Sequence, residues 1–112
     1  MKFKEDDLQM QVASYLDLLN VTWCHVANER KAKPQAGARL KRKGVKSGVP
    51  DCLIFDCCNG FNGLAIELKI KPNKPTVNQL GWLLSLEDIG WKTWTCYTFE
   101  DAKETIDEYL KQ

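Results

Sequence analysis

One stretch near the middle of the chain constrains the fold more than any other part. Residues 48–71 read GVPDCLIFDCCNGFNGLAIELKIK. Two apolar runs flank the turn-forming sequence NGFNG, a pattern typical of a β-hairpin. The pattern predicts strands over Asp51–Asp56 and Leu64–Ile70, with Asn59 at the centre of the turn.

The base of this hairpin brings charged residues together. Residues equidistant from the turn lie opposite each other, so we expect Asp51 beside Glu67 with their Cβ atoms about 5 Å apart. Side chains alternate along a strand, so Lys69 shares the face of Glu67 while Leu68 points into the core. Two carboxylates and one ammonium group are therefore expected at one end of the hairpin.

Such a group suits a divalent cation. Mg²⁺ prefers oxygen ligands, usually one or two carboxylates with waters and substrate phosphates. Asp51 and Glu67 would supply the carboxylates, and the Leu68 carbonyl a third oxygen. Lys69 would orient or deprotonate a water, or stabilise the phosphorus under attack. This interpretation predicts phosphodiester hydrolysis; the alternative is a surface ion triad, which contributes only about 0–1 kcal/mol.

The charge is distributed unevenly along the chain. The net charge is only +1, but the segment 30–46 holds eight basic residues and no acid. A positive segment on an otherwise acidic chain indicates contact with a polyanion, and it leads directly to Asp51. The alternative is a solvated loop. The candidate DNA-binding residues are Arg30, Lys31, Lys33, Arg39, Lys41, Arg42, Lys43 and Lys46.

The length of 112 residues and a hydrophobic content of 44% are those of one soluble domain, residues 1–112. Apolar periodicity predicts a first helix over Glu5–Leu19, and Val21–Val26 reads as a strand. Residues 28–50 are predicted to be a loop. The pattern continues with a helix that is capped by Thr76 and has the apolar residues Val77, Leu80, Leu83 and Leu84. A strand over Trp91–Tyr97 and a last helix capped by Thr98 follow.

Several short motifs together carry a resemblance to a known family. GVPD is followed by E-L-K, then by a helix opening with TVNQ, and the first predicted helix contains E-x-x-x-Q. The combination resembles the virus-type replication-repair nuclease (VRR-NUC) domain of the PD-(D/E)xK nuclease superfamily. The resemblance spans nearly the whole chain. It implies a restriction-endonuclease-like α/β core, αβββαβ with a C-terminal helix, whose mixed central sheet is flanked by helices.

The resemblance also implies roles for individual residues. Asp51 and Glu67 match metal ligands and Lys69 the catalytic lysine, with Mg²⁺ or Mn²⁺ as cofactor. Gln79 matches a glutamine that lines the active site, although Thr76-x-x-Gln79 is also a capping box. Glu5 matches an acid that reaches the metal, often through water; the alternative is an ordinary acid of the first helical turn.

A few candidates remain open at this point. Asp6 and Asp7 would take the place of Glu5 if the register of the first helix differs, and Gln9 is a weaker candidate. His25 is interpreted as a packed or rim residue, and the tryptophans as core or subunit contacts. The five cysteines lack CxxC spacing and mostly lie in apolar runs that look like strands, so they are interpreted as reduced, small apolar residues; a zinc site at Cys57 and Cys58 is the alternative.

The function expected from these residues is metal-dependent, structure-specific cutting of DNA. The resemblance implies a Holliday-junction-resolvase-like homodimer acting on branched or junction DNA. Alternatives are a restriction-like or flap nuclease, and a non-catalytic DNA-binding module. No apolar run approaches the ~20 residues of a membrane span, so no membrane partner is expected, and the location is expected to be cytoplasmic (the host cytoplasm for a viral protein).

Overall fold

The computed structural model describes residues 4–27 and 34–111. Its elements are α1 (Glu5–Leu19), β1 (Trp23–His25), α2 (Pro34–Arg42), β2 (Cys52–Ile54), β3 (Leu64–Leu68), α3 (Val77–Asp88), β4 (Lys92–Cys96) and α4 (Phe99–Leu110). Within the described ranges, no helix combines the length and the apolar character needed to cross a membrane. The predicted mixed α/β architecture is confirmed, with one helix more than expected.

The four strands form one mixed sheet in the order β1-β2-β3-β4. The pairs β1–β2 and β2–β3 are antiparallel, whereas β3 and β4 are parallel. The parallel pair is possible because α3 carries the chain from the end of β3 back to the start of β4. The sheet therefore presents the end of β3 next to the start of β2.

The main hydrophobic core lies on one face of the sheet, under α1 and α4. Its fully buried members include Leu8, Val12 and Leu16 from α1, which recur every four residues along one face of the helix. Most of the remaining core consists of strand residues Ile54, Leu64, Ile66 and Leu68 and of helix residues Ala102, Ile106 and Tyr109. Cys52, Cys58 and Cys96 are buried in the same core as small apolar residues, whereas Cys57 is exposed.

The third helix covers the opposite face of the sheet. It packs against β3 and β4, and its buried residues are Gln79, Leu83 and Leu86. The prediction that Val77, Leu80 and Leu84 form the buried face is wrong, because their exposed fractions are 85%, 47% and 62%. The helix is rotated so that a glutamine, rather than an apolar residue, faces the sheet beside Leu83.

Two predicted helix starts are confirmed by their hydrogen bonds. The Thr76 hydroxyl accepts the Gln79 backbone N–H at 3.2 Å, and the Thr98 hydroxyl accepts the Asp101 N–H at 3.1 Å. Each cap satisfies a backbone donor that has no partner inside its helix. The start of α3, which carries Gln79, is thereby fixed.

The segment predicted to be a loop contains a helix. Residues 28–33 lie outside the described residues, but Pro34–Arg42 forms α2. The helix ends at Gly44, whose φ is +98°. The Gly44 N–H donates to Lys41 O and the Val45 N–H to Leu40 O, both at 3.0 Å, the two bonds of a Schellman motif. The loop prediction missed this helix because α2 holds a single large apolar residue, Leu40; its signals are proline at the first position and glycine after the last turn.

Candidate functional site

The hairpin has the register that its symmetry predicts. Asn59 and Gly60 both adopt positive φ, 53° and 82°, and Phe61 N–H donates to Cys58 O at 2.9 Å, as in a type I′ turn. Cys52 pairs with Ile66, and Leu53 with Ala65. One more step along the two strands places Asp51 opposite Glu67, as expected.

Asp51 is fixed through both its backbone and its side chain. Its carboxylate Oδ2 accepts the Leu68 backbone N–H at 2.8 Å. Its carbonyl accepts the Val26 N–H at 3.1 Å and lies 2.7 Å from the Nδ1 of His25. His25 therefore lies at the rim of the site, where it helps to hold the backbone of Asp51.

Glu67 and Lys69 are buried rather than solvated. Their exposed fractions are 1% and 6%, and Lys69 Nζ lies 3.8 Å from Glu67 Oε2. The other carboxylate oxygen, Glu67 Oε1, makes no hydrogen bond, and it is the sole buried side-chain oxygen or nitrogen in that condition within residues 4–27 and 34–111. A surface ion triad does not describe this pair, because burying a carboxylate with an unpartnered oxygen is costly.

The electrostatics reflect this burial. Desolvation and then the neighbouring Asp51 carboxylate raise the pKa of Glu67 to about 8; Lys69 opposes the rise, and Glu5 adds to it. Like charges close together disfavour ionisation of each carboxyl group. A cation placed among these groups would favour the ionised form of Glu67.

The residues present suit a divalent cation that prefers oxygen. In a strand the N–H and C=O of one residue point to the same side, so the Leu68 carbonyl points toward Asp51, whose carboxylate accepts the Leu68 N–H. Two carboxylates and one carbonyl thus converge. No cluster of three or more His, Cys, Asp or Glu forms a metal-binding group in the described part of the chain, but Mg²⁺ usually takes only one or two protein carboxylates and completes its shell with water and phosphate.

The first helix contributes at the edge of this cluster. Glu5 is half-buried and acts on the pKa of Glu67 across the space between α1 and β3. Asp7 is engaged elsewhere, since its Oδ2 accepts the Lys4 N–H at 2.8 Å, and Asp6 is exposed. The Gln9 amide contacts the Cys52 sulfur at 3.5 Å, on the α1 side of the sheet. Of the acids in the first turn, Glu5 is thus the one with an electrostatic effect on Glu67.

Gln79 is 5% exposed on the face of α3 that covers the sheet. Its Oε1 accepts the Thr76 N–H at 2.8 Å, so both halves of the capping box form. The oxygen of the side chain is therefore used by the helix cap. A role of its amide NH₂ group at the site stays a prediction.

The segment before Asp51 is docked on the first turn of α3, a contact that the sequence did not reveal. Gly48 has φ +82°, and a Cβ added to it would lie 2.8 Å from the backbone carbon of Asn78. The Asn78 amide also donates to the Ser47 hydroxyl at 3.0 Å. Only glycine fits this approach. The sequence signal for this contact was the occurrence of a glycine, Gly48, and a proline, Pro50, immediately before the aspartate. In the structure, Pro50 is buried.

The described basic residues of the segment 30–46 are all exposed to solvent. Arg39, Lys41, Arg42, Lys43 and Lys46 are exposed on α2 and the segment after it. Arg30, Lys31 and Lys33 lie outside the described residues. The basic surface therefore begins at α2 and continues along the chain to within five residues of Asp51.

Comparison with solved structures decides the fold. A protein described as "VRR_NUC domain protein" superposes with a TM-score of 0.77 over 99% of this chain and 91% of its own, at 23% sequence identity. The chain has the fold of a VRR-NUC domain. A second structure, described as "VRR_NUC domain", gives a TM-score of 0.67 at 18% identity and covers 97% of this chain and all of its own. No family model and no curated protein matches the sequence.

Proposed function

We propose that the protein is a metal-dependent, structure-specific DNA endonuclease that hydrolyses phosphodiester bonds as a Holliday-junction-resolvase-like homodimer. One observation carries the proposal. The buried carboxylate of Glu67 lies opposite Asp51 and beside Lys69, and its Oε1 has no hydrogen bond. A buried carboxylate oxygen without a hydrogen bond opposes folding, and a cation that binds this oxygen would offset that cost.

Asp51 and Glu67, with the Leu68 carbonyl, would hold Mg²⁺ or Mn²⁺, and Glu5 would reach the ion through water. Once bound, the metal would acidify a water and offset the negative charge of the phosphate. Lys69 would orient the attacking water or accept its proton, or place its charge against the phosphate oxygens. Gln79 would donate its amide to water or phosphate at the same face.

The basic residues would bring DNA to this site. Phosphates are recognised by exposed Lys and Arg, and such contacts dominate affinity and weaken as salt rises. The described basic residues of α2 and Lys46 are exposed and precede Asp51 along the chain. In this proposal, DNA bound along α2 extends to the hairpin base, where it would be cut.

The homodimer follows from the substrate proposed. A four-way junction is resolved by cuts in two strands, and one Asp51–Glu67–Lys69 site acts on one strand. Two copies would place two such sites across the junction.

The five thiols are free, which suits the proposed location in a reducing cytoplasm.

The test is cleavage of labelled four-way junction, flap and linear duplex DNA with Mg²⁺ or Mn²⁺. Wild type is compared with Lys69→Ala and with Lys71→Ala, since Lys71 is an exposed lysine two residues further on. Paired symmetric cuts in the junction that disappear with EDTA and in Lys69→Ala, but persist in Lys71→Ala, support the resolvase. Cuts in flaps alone would keep the nuclease and contradict the resolvase.

A non-catalytic DNA-binding module is the competing function. It predicts tight, salt-sensitive binding of DNA without cleavage under any metal. Lys69→Ala would then bind as wild type does. That combination would contradict the catalytic proposal while leaving the basic surface its role.

A further inference from the structure

An open groove of about 570 Å³ runs along the outer side of α3. One wall is formed by the chain segment after α2, and the other by one side of the helix. The lining residues are Lys46, Ser47, Val77, Asn78, Gly81, Trp82 and Ser85. None of the residues proposed to hold the metal or to act on the phosphate lines it.

The chemistry of the lining suits a nucleotide. The partly buried Trp82 offers an aromatic surface at the groove, and Lys46 offers an exposed positive charge across from it. Base–aromatic stacking is available to every base, because each has a π-face. Gly81 leaves the space over the helix open, since a Cβ added there would meet no atom within 4 Å.

Charge separates this groove from another tryptophan-lined hollow. The second hollow, of about 230 Å³, contains the half-exposed Trp94, one lysine (Lys92) and three acids, Asp101, Glu104 and Glu108. Those acids would repel a phosphate, whereas the lining of the α3 groove has a lysine and no acid. Of the two, the α3 groove is the one that fits a polyanion.

The groove is also tied to the hairpin base. Ser47 and Gly48 contact Asn78 in the first turn of α3, and the chain then runs through Pro50 to Asp51. Lys46 and Asp51 are five residues apart, so their Cα atoms are separated by at most about 18 Å. At a rise of about 3.4 Å per nucleotide in one strand of a duplex, this is the span of a few nucleotides.

We propose that this groove binds one unpaired nucleotide of the DNA, with its base stacked on the Trp82 indole and its phosphate against the Lys46 ammonium. The inference rests on the proposed function, because it adds a substrate-recognition site beside the cutting site. It makes the protein read unpaired nucleotides near the strand that it cuts. A fully paired duplex keeps its bases stacked inside and would leave the groove empty.

The experiment measures binding apart from cutting. Dissociation constants are measured for Lys69→Ala protein with a labelled duplex containing one unpaired thymidine and with the same duplex fully paired. Gly81→Gln is added to fill the groove; its side chain enters open space, so the fold is kept. Leu84→Gln, at an exposed position of the same helix that does not line the groove, is the matched control.

Gly81→Gln is expected to weaken binding of the DNA with the unpaired thymidine by about five- to hundred-fold, and to leave binding of the paired duplex unchanged. Trp82→Phe should lose less, because a smaller aromatic ring remains. Leu84→Gln should match the parent for both DNAs. Equal binding of both DNAs by the parent protein, or an equal effect of Gly81→Gln on both, would overturn the inference.

Cleavage by the wild-type chain is scored separately. If wild type cuts junctions or flaps while Gly81→Gln shows no selective loss, the groove proposal fails and the nuclease stands. If Gly81→Gln shows the selective loss but wild type cuts no DNA, the groove stands and the nuclease fails.

Discussion

The two faces of β3 are equally buried and chemically opposite. On one side Leu64, Ile66 and Leu68 are 0% exposed and pack under α1 and α4. On the other side Ala65 and Glu67 are 0% and 1% exposed, and Lys69, directly after the strand, is 6% exposed, next to α3. The same strand thus builds an apolar core on one side and a charged cluster on the other.

The difference separates what stabilises the chain from what the chain uses. Burying a side chain such as Ile66 contributes roughly 1.5–3 kcal/mol. Burying Glu67 with one oxygen lacking a hydrogen bond opposes folding. A structure under selection for stability alone would not keep both faces as they are, so the charged face is where function is to be sought.

Lys69→Ala should have the largest effect. If Lys69 acts on the attacking water, its loss lowers the cleavage rate about 10²- to 10⁴-fold, measured in single-turnover assays with Mg²⁺ or Mn²⁺. Lys71 is exposed and lies two residues after Lys69, so Lys71→Ala should cut as wild type does. Equal rates in Lys69→Ala and wild type would remove the catalytic role of the charged face.

Glu67→Gln should stabilise the metal-free protein at alkaline pH. The pKa of Glu67 is raised to about 8 from an ordinary 4.5, so between these values the folded state keeps a proton that the unfolded state loses. Stability therefore falls as pH rises from 4.5 toward 8, and it is level above pH 8. The total loss is at most about 5 kcal/mol, at 1.36 kcal/mol for each pH unit between the two pKa values.

Glu67→Gln removes this dependence, which urea unfolding at a series of pH values in EDTA would measure. Added Mg²⁺ should restore part of the wild-type stability at pH 8 and none of the variant's. A wild-type curve that stays flat from pH 4.5 to 8 would contradict the assignment.

Ile66→Ala should act through stability alone. Removal of a fully buried isoleucine side chain costs about 2–5 kcal/mol, seen as a lower urea midpoint. Where the protein is still folded, the cleavage rate per folded molecule should be retained. A large loss of rate in the folded variant would show that the two faces of β3 are not independent.

Gly48→Ala should destabilise the segment before Asp51 and have a selective effect on the site. A left-handed φ costs a residue with a Cβ about 1–2 kcal/mol, and the added methyl would also press on Asn78. Because Asp51 follows three residues later, cutting should fall by more than the stability loss explains. Gly44→Ala, at another positive φ with open space around it, is the matched control and should change stability alone.

The hairpin and the helix starts could be predicted because their signals are local. The symmetry about Asn59 determined which residues face each other. Thr76 and Thr98 cap their helices because the hydroxyl of each accepts a backbone N–H from the first turn. The predicted boundaries of β2 were too wide, since the strand runs over Cys52–Ile54 rather than Asp51–Asp56. Pairing nevertheless continues beyond the strands, for example from Phe55 N–H to Thr22 O at 2.8 Å.

Other features depend on tertiary packing and had no sequence signal of their own. Periodicity favoured Val77, Leu80 and Leu84 as the buried face of α3, but the capping box and the close contact of Gly48 with Asn78 set the rotation of the helix instead. Burial of Lys69 was likewise not predictable, because it depends on α3 covering the end of β3. The roles of Glu5 and Gln79 stay predictions.

The pairing of Asp51 with Glu67 has a consequence for which insertions and deletions the chain tolerates. A one-residue change within Cys52–Ile54 or Leu64–Leu68 turns every side chain beyond it to the other face of the sheet, and one carboxylate would then point into the leucine core. An insertion or deletion within the turn around Gly60 leaves the register of both strands unchanged. The space there is open, since a Cβ added to Gly60 would meet no atom within 4 Å. Length variation among functional sequences of this fold should therefore collect at the hairpin tip and be absent from its two strands.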